Sequence, residues 1–194
     1  QASSSAASDV YKRQVIDIAS EQKIKLVAIF PYTHEDLKSV DGKEALNSKN
    51  LVCRSLQKLK SQSANFGLMC DVALDPYTNH GHDGILNDDG KILNDETNEI
   101  LIKQSILYAN HGADVIAPSD MMDGRVGLIR SALEENNFKD TLILSYAAKY
   151  ASGMYSPFRD AVGSSSNLKA NKRTYQLNIS NSDEDIREAL MYII

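Results

Sequence analysis

Apolar and polar positions alternate in blocks along the chain. "KLVAIF" (25–30) is a continuous apolar run stopped by Pro31, which predicts a buried strand. "KEALNSKNLVCRSLQKLKSQ" carries Val52, Leu56 and Leu59 at helical spacing. "FGLMCDVAL" (66–74) predicts the next strand, and a polar loop rich in Gly, Asp and Asn fills 75–95. "DETNEILIKQSILYANHGA" predicts a helix with Ile102, Ile106 and Ala109 on one face and Gly112 as its stop. "DVIAP" (114–118) predicts a short strand, 124–137 a helix, 141–146 a strand, and "RTYQLNI" (173–179) a weaker strand. Ser182 and Asp185 fit a capping box that opens a last helix, with Ile186, Leu190 and Ile193 as its apolar face.

Apolar strands alternating with amphipathic helices predict parallel β/α units, hence a doubly wound sheet or an eightfold barrel. No G-x-G-x-x-G and no G-x-x-x-x-G-K-[ST] occurs, so a nucleotide-binding fold has no support. Polar residues cluster just after the strands, at 31–34, 71–83, 119–123 and 149–159. In a barrel those positions form the catalytic face. The fold class expected is therefore α/β, a (β/α)8 TIM barrel. Such a barrel takes about 250 residues, and the expectation is one left incomplete in this chain. "QASSSAASDVYKRQ" (1–14) is small and polar without periodicity and reads as a foreign leader; residues 15–194 read as a partial catalytic barrel. The last helix stops with its apolar stripe unfinished, which gives the expectation of a fragment.

Composition narrows this only a little. The 194 residues are 42% hydrophobic and 24% charged, with net charge -5 and charges of both signs interspersed. No basic run points to nucleic acid, and no stretch has the roughly 18 apolar residues of a membrane span. The two cysteines, Cys53 and Cys70, have no CxxC spacing, so a reducing cytoplasm and a core role are expected for both.

The candidate chemistry begins at Lys149, in "SYAAKYAS". A lysine nucleophile must be deprotonated, and burial or a nearby cation such as Arg159 or Lys172 favours that. Such a lysine attacks a ketone to give a Schiff base, whose iminium is an electron sink. On spacing alone, a lysine reaching from a strand end to solvent is the commoner case. "CDVALDPYTNHGHDG" gathers Asp71, Asp75, His80, His82 and Asp83, a weak metal pattern that serves equally as a hydrogen-bonded loop. "APSDMMDGRVG" puts Ser119 and Asp120 directly after a strand, as a helix cap or as a polar pair at the catalytic face.

Taken together, "DVALDPYTNHGHDG", "NHGADVIAPSDMMDGRVGLIR", "LSYAAKYASGMYSPFRDA" and "NKRTYQLN" resemble the porphobilinogen synthase (5-aminolaevulinate dehydratase) family. The resemblance runs from about Leu26 to the end of the chain. It implies a TIM-barrel lyase, usually a homo-octamer, that condenses two 5-aminolaevulinate molecules to porphobilinogen with loss of two waters, for haem and other tetrapyrroles. Lys149 matches the first of two Schiff-base lysines; the second belongs to a later "MVKP"-type strand that this sequence does not contain. Arg159 and Lys172 match the basic substrate contacts, and Gln176 belongs to the same segment as Lys172. Asp71, Ser119 and Asp120 match polar residues around the first substrate. Zinc-dependent members carry three cysteines where this chain has Ala73, Asp75 and Asp83. The resemblance therefore implies a magnesium-dependent, non-zinc type, with Asp75 and Asp83 as oxygen donors and Glu188 as the allosteric magnesium ligand. It implies a cytoplasmic enzyme, or a plastid one if a transit peptide precedes it, with no nucleic-acid or membrane partner. Rival readings are a class I Schiff-base aldolase, a metal hydrolase using His80, His82 and Asp83, and a catalytically inactive fragment.

Overall fold

The computed structural model describes residues 14, 16–62, 65–152, 157 and 172–192. Four strands, β1 (Leu26–Ile29), β2 (Gly67–Val72), β3 (Val115–Pro118) and β4 (Leu142–Ile143), form one sheet in the order β1-β2-β3-β4. Every pair is parallel, with Leu26 opposite Gly67, Asp71 opposite Ala117, and Ile116 opposite Ile143. The crossovers carry α1 (Leu51–Ser61), α2 (Asn94–Asn110) and α3 (Arg125–Glu135), and α4 (Ser182–Met191) closes the described chain. Two short 3-10 turns, Glu35–Leu37 and Lys43–Leu46, precede α1. Strands in chain order with helical crossovers are the repeating unit of a TIM barrel, and the sheet has that arrangement. All four strands point their C-terminal ends the same way.

The core lies between the sheet and the helices. Leu68, Cys70, Val72 and Ile116 from the strands meet Val52, Leu56, Leu101, Ile129 and Leu133, all fully buried or nearly so. Both cysteines are among them, and burial pushes the Cys53 thiol up to about 11 and the Cys70 thiol higher still. α1 begins where Asn50 accepts a hydrogen bond from the Cys53 N–H at 2.8 Å. α2 ends at His111, after which the Ala113 N–H bonds Tyr108 O and the Gly112 N–H bonds Ala109 O. That double closure needs a left-handed residue, and Gly112 supplies it at φ 102°.

Several expectations change on folding. α2 buries Thr97, Leu101, Gln104, Ser105 and Tyr108, while Ile102 and Ile106 are only half-buried. Polar side chains go inside because each finds a partner there: Tyr108 bonds the Tyr77 hydroxyl at 2.6 Å, Gln104 bonds Tyr108 at 3.0 Å, and Ser105 bonds Leu101 O. The weak strand at 173–179 is instead a turn, since Lys172 O accepts from both the Tyr175 and the Gln176 N–H. It leaves one parallel bridge, Tyr150 with Leu177. β4 is shorter than 141–146 as a strand, yet Leu144 N–H and Tyr146 N–H still bond Ile116 O and Pro118 O. The cap of α4 is Asn181, not Ser182; it accepts from the Glu184 N–H and donates to the Glu184 carboxylate. This is a box of the expected span, one residue earlier. Asp185 is thereby left to accept the Tyr150 hydroxyl at 2.6 Å. Arg159 and Ile193 lie outside the described residues.

Candidate active site

The ends of β2 and β3 and the segment after β4 deliver polar groups to one place, whereas the polar residues after β1 do not join them: His34 is exposed and caps a 3-10 turn. β2 runs straight into Asp71, Asp75 and the loop to Asp83; β3 ends at Ser119 and Asp120; the segment after β4 brings Lys149. The Lys149 side chain is only 10% exposed. Its ammonium donates to Ser119 O, packs 5.9 Å from the centre of the Tyr146 ring, and lies 3.9 Å from Asp83 Oδ2. The lysine does not reach out to solvent; it turns inward over the strand ends.

The second cation is Lys172, also buried. It lies 2.6 Å from Asp83 Oδ1 and 3.2 Å from Asp75 Oδ2. The two carboxylates hold the Lys172 ammonium well above its ordinary pKa against the opposing effect of burial. Burial raises Asp75, with Lys172 opposing. The same loop turns at Gly84, where a Cβ would stand 2.8 Å from Thr97 Oγ1, so α2 and the loop can pack this closely only with glycine there.

Asp71 is buried beside the pair. Burial, with Asp75 adding like-charge repulsion, pushes its carboxyl up to about 7, although the Ser119 hydroxyl bonds it and Lys149 lies near. Asp71 Oδ1 and Asp83 Oδ2 have no hydrogen-bond partner among the described residues. Buried polar atoms are nearly always paired, so these two oxygens have spare capacity to accept a hydrogen bond.

Asp120 is fully buried and faces the equally buried Arg125, with Nε 3.3 Å from Oδ2. Burial raises Asp120 to about 6, with Arg125 pulling the other way. Sequence pattern gives no sign of Arg125, because "DGRVG" reads as an ordinary helix start. Its guanidinium donates to Tyr146 O at 2.6 Å, to Met122 O at 3.1 Å and to the Tyr192 hydroxyl at 2.7 Å. Tyr192 in turn bonds Glu188. Arg125 thus joins the strand-end cluster to the end of α4. Glu188 is half-buried, and its Oε2 has no partner among the described residues. It lines a cavity of about 420 Å³ with Asp123, Glu184 and Gln176. Gln176 also lines a neighbouring cavity of about 380 Å³ with Arg173 and Asn178.

A family model described as delta-aminolevulinic acid dehydratase matches residues 4–193. The chain belongs to that family. A delta-aminolevulinic acid dehydratase of Bradyrhizobium diazoefficiens is 51% identical over 170 residues, covering 88% of this chain and 48% of the relative. The chloroplastic enzyme of Chlamydomonas reinhardtii is 46% identical over 189 residues, 92% of this chain and 48% of the relative. Among solved structures, the delta-aminolevulinic acid dehydratase (porphobilinogen synthase) of Toxoplasma gondii, in complex with the reaction product porphobilinogen, superposes with a TM-score of 0.88 at 43% identity. That match covers 93% of this chain and 53% of the other. The chain spans about half the length of the relatives it matches. Family membership and superposition agree with the TIM-barrel reading of the sheet.

Proposed function

We propose that this chain carries the first Schiff-base half of a porphobilinogen synthase, a lyase that condenses two 5-aminolaevulinate molecules to porphobilinogen with loss of two waters. The observation that carries the reading is the placement of Lys149: an inward-turned amine at the strand ends, among Asp71, Asp83 and Ser119. Its unprotonated amine adds to the substrate ketone, and loss of water gives an iminium that makes the adjacent carbon acidic. Asp71, with a pKa near neutrality, is suited to take and return that proton, since a general base works best close to the working pH. Ser119 orients the Asp71 carboxyl. Asp120 is locked to Arg125 and to the Met122 N–H, so its part is to hold the strand end rather than to move protons. The substrate carboxylate falls to the basic contacts expected at Arg159 and Lys172.

Two groups of acidic residues are candidates for a metal. Asp75 and Asp83 do not fit a divalent ion as arranged: both already bind the Lys172 ammonium, and no thiolate is near them, the two cysteines being in the core. Glu188 fits better. It offers an unpaired buried oxygen in a cavity also lined by Asp123 and Glu184, hard donors of the kind magnesium takes together with water. Magnesium held there would supply a fixed positive charge beside α4. Among the described residues no group of three or more histidine, cysteine or acidic side chains forms a complete ligand set. The same reading carries a homo-octamer in the cytoplasm or a plastid. No described helix is long and apolar enough to cross a membrane.

Borohydride reduction in the presence of 5-aminolaevulinate tests the central claim. Intact mass and a peptide map are expected to show one substrate-sized adduct on Lys149, absent in Lys149→Met. Absence of the adduct both in this chain and in one extended through the second lysine strand overturns the Schiff-base reading. Trapping with a sugar-derived ketone but not with 5-aminolaevulinate would point to an aldolase.

A further inference from the structure

Lys172 meets Asp83 across 89 residues of chain. It comes from a turn, not from a strand, so something other than the sheet must hold it there. The contact that crosses at this point is Tyr175. Its hydroxyl lies 3.1 Å from His82 Nδ1, and the two rings meet edge to face at 6.1 Å. The Asp83 main-chain N–H also bonds the Tyr175 oxygen.

The Tyr175 hydroxyl and His82 Nδ1 share one hydrogen bond, and the hydroxyl is taken as its donor, the role a neutral imidazole allows. Burial and the Lys172 charge lower the His82 pKa, which keeps the ring neutral and able to accept. His82 is fixed in turn: its N–H bonds His80 Nδ1 at 3.2 Å, and its carbonyl accepts Thr78 Oγ1 at 3.0 Å. With Nδ1 accepting, His80 carries its proton on Nε2, which bonds Val40 O at 3.2 Å. Both imidazoles are almost fully buried. On the other side, Tyr175 N–H and Gln176 N–H both bond Lys172 O. One hydroxyl therefore joins the loop that carries the two carboxylates to the turn that carries the ammonium.

We infer that His82 and Tyr175 are positioning residues: the hydroxyl–imidazole bond between them sets the Lys172 ammonium against Asp75 and Asp83, and so sets the charge facing Lys149. The catalytic meaning of this rests on the Schiff-base reading above.

The test uses two readouts on the whole chain. Tyr175→Phe keeps the ring and removes the hydroxyl. Acetylation by acetic anhydride, followed by peptide mass spectrometry, is expected to rise about fivefold at Lys172, the weight of one hydrogen bond. Labelling of Lys60, paired with Asp114 elsewhere in the fold, should not change. The 5-aminolaevulinate concentration for half-maximal trapping on Lys149 should rise by a similar factor, with the maximal extent unchanged. His82→Leu should behave as Tyr175→Phe does. His82→Asn, which keeps an acceptor near the Nδ1 position, should restore both readouts. Unchanged Lys172 labelling in Tyr175→Phe and His82→Leu overturns the positioning role. Raised labelling with unmoved trapping overturns its link to Lys149. If the parent chain itself traps nothing, the Schiff-base reading fails, while the labelling still decides the positioning. If Lys60 labelling rises too in Tyr175→Phe, that variant has lost its fold, and the comparison of His82→Leu with His82→Asn decides the positioning role instead.

Discussion

At the residue scale, the charges at the strand ends are held in place by burial and by one another. Asp71 is the clearest case. Its folded carboxyl titrates near 7, against an ordinary value of 3.8. Between those values the unfolded chain binds fewer protons than the folded one, so stability falls as pH rises from about 4 to about 7 and levels off above. Asp71→Asn removes the ionisation and should stabilise the chain at pH 8 by roughly 2–4 kcal/mol, with little gain at pH 4, as read by urea denaturation at both pH values. If Asp71 moves the proton on the carbon beside the iminium, the same substitution should leave trapping on Lys149 in place but slow exchange of that carbon's hydrogens in 5-aminolaevulinate for solvent deuterium, read by mass spectrometry. Arg125 gives the opposite sign. Arg125→Met leaves Asp120 buried without its countercharge and should cost roughly 3–5 kcal/mol at pH 8. The loss should be smaller at pH 5, because Asp120 titrates near 6 and can protonate. A loss independent of pH would mean that lost packing, not charge, dominates.

At the element scale, caps and buried polar contacts decide where helices begin and which face turns inward. Asn50 is 1% exposed, caps α1 through Cys53, and donates to Ala45 O and Glu44 O. Asn50→Ala should lower stability by about 2 kcal/mol, the upper range for a lost cap, because those two carbonyls also lose a donor. A denaturation midpoint within error of the parent would show that water takes over all three bonds. α2 shows why periodicity named the helix but not its face. Its inward residues include Gln104 and Ser105, which look like surface residues until Tyr77, Tyr108 and Leu101 O are placed around them. The residue spacing of a capping box was legible at α4, but two overlapping candidates, Asn181–Glu184 and Ser182–Asp185, share that spacing. Tyr150 settles the choice by using Asp185 for itself.

At the scale of the whole molecule, the described sheet ends on the short strand β4, beside exposed leucines. Leu142 is 64% exposed and Leu144 45%, both at the β4 edge. Such an edge templates pairing with other chains. Leu142→Lys with Leu144→Lys should reduce light scattering of the chain on warming while leaving the denaturation midpoint within about 0.5 kcal/mol. An unchanged scattering profile would place the sticky surface elsewhere, the exposed Ile186, Leu190 and Met191 of α4 being the next to test.

The sequence by itself determined the alternation of strands and helices, the parallel sheet, the stop at Gly112 and the family, because apolar periodicity, glycine placement and motif order are local properties of the chain. It also marked Lys149, Asp71, Ser119 and Asp120 as neighbours of strand ends. Only the tertiary structure decided what those residues face. Lys172 reaches Asp83 from 89 residues away, Arg125 looks like a helix-start residue until Asp120, Tyr146 and Tyr192 surround it, and the turn at 172–176 follows from a carbonyl that takes two hydrogen bonds. Pairing of charges and hydrogen bonds across long stretches of chain depends on distances that no local pattern encodes, and burial then changes the chemistry of every group so paired.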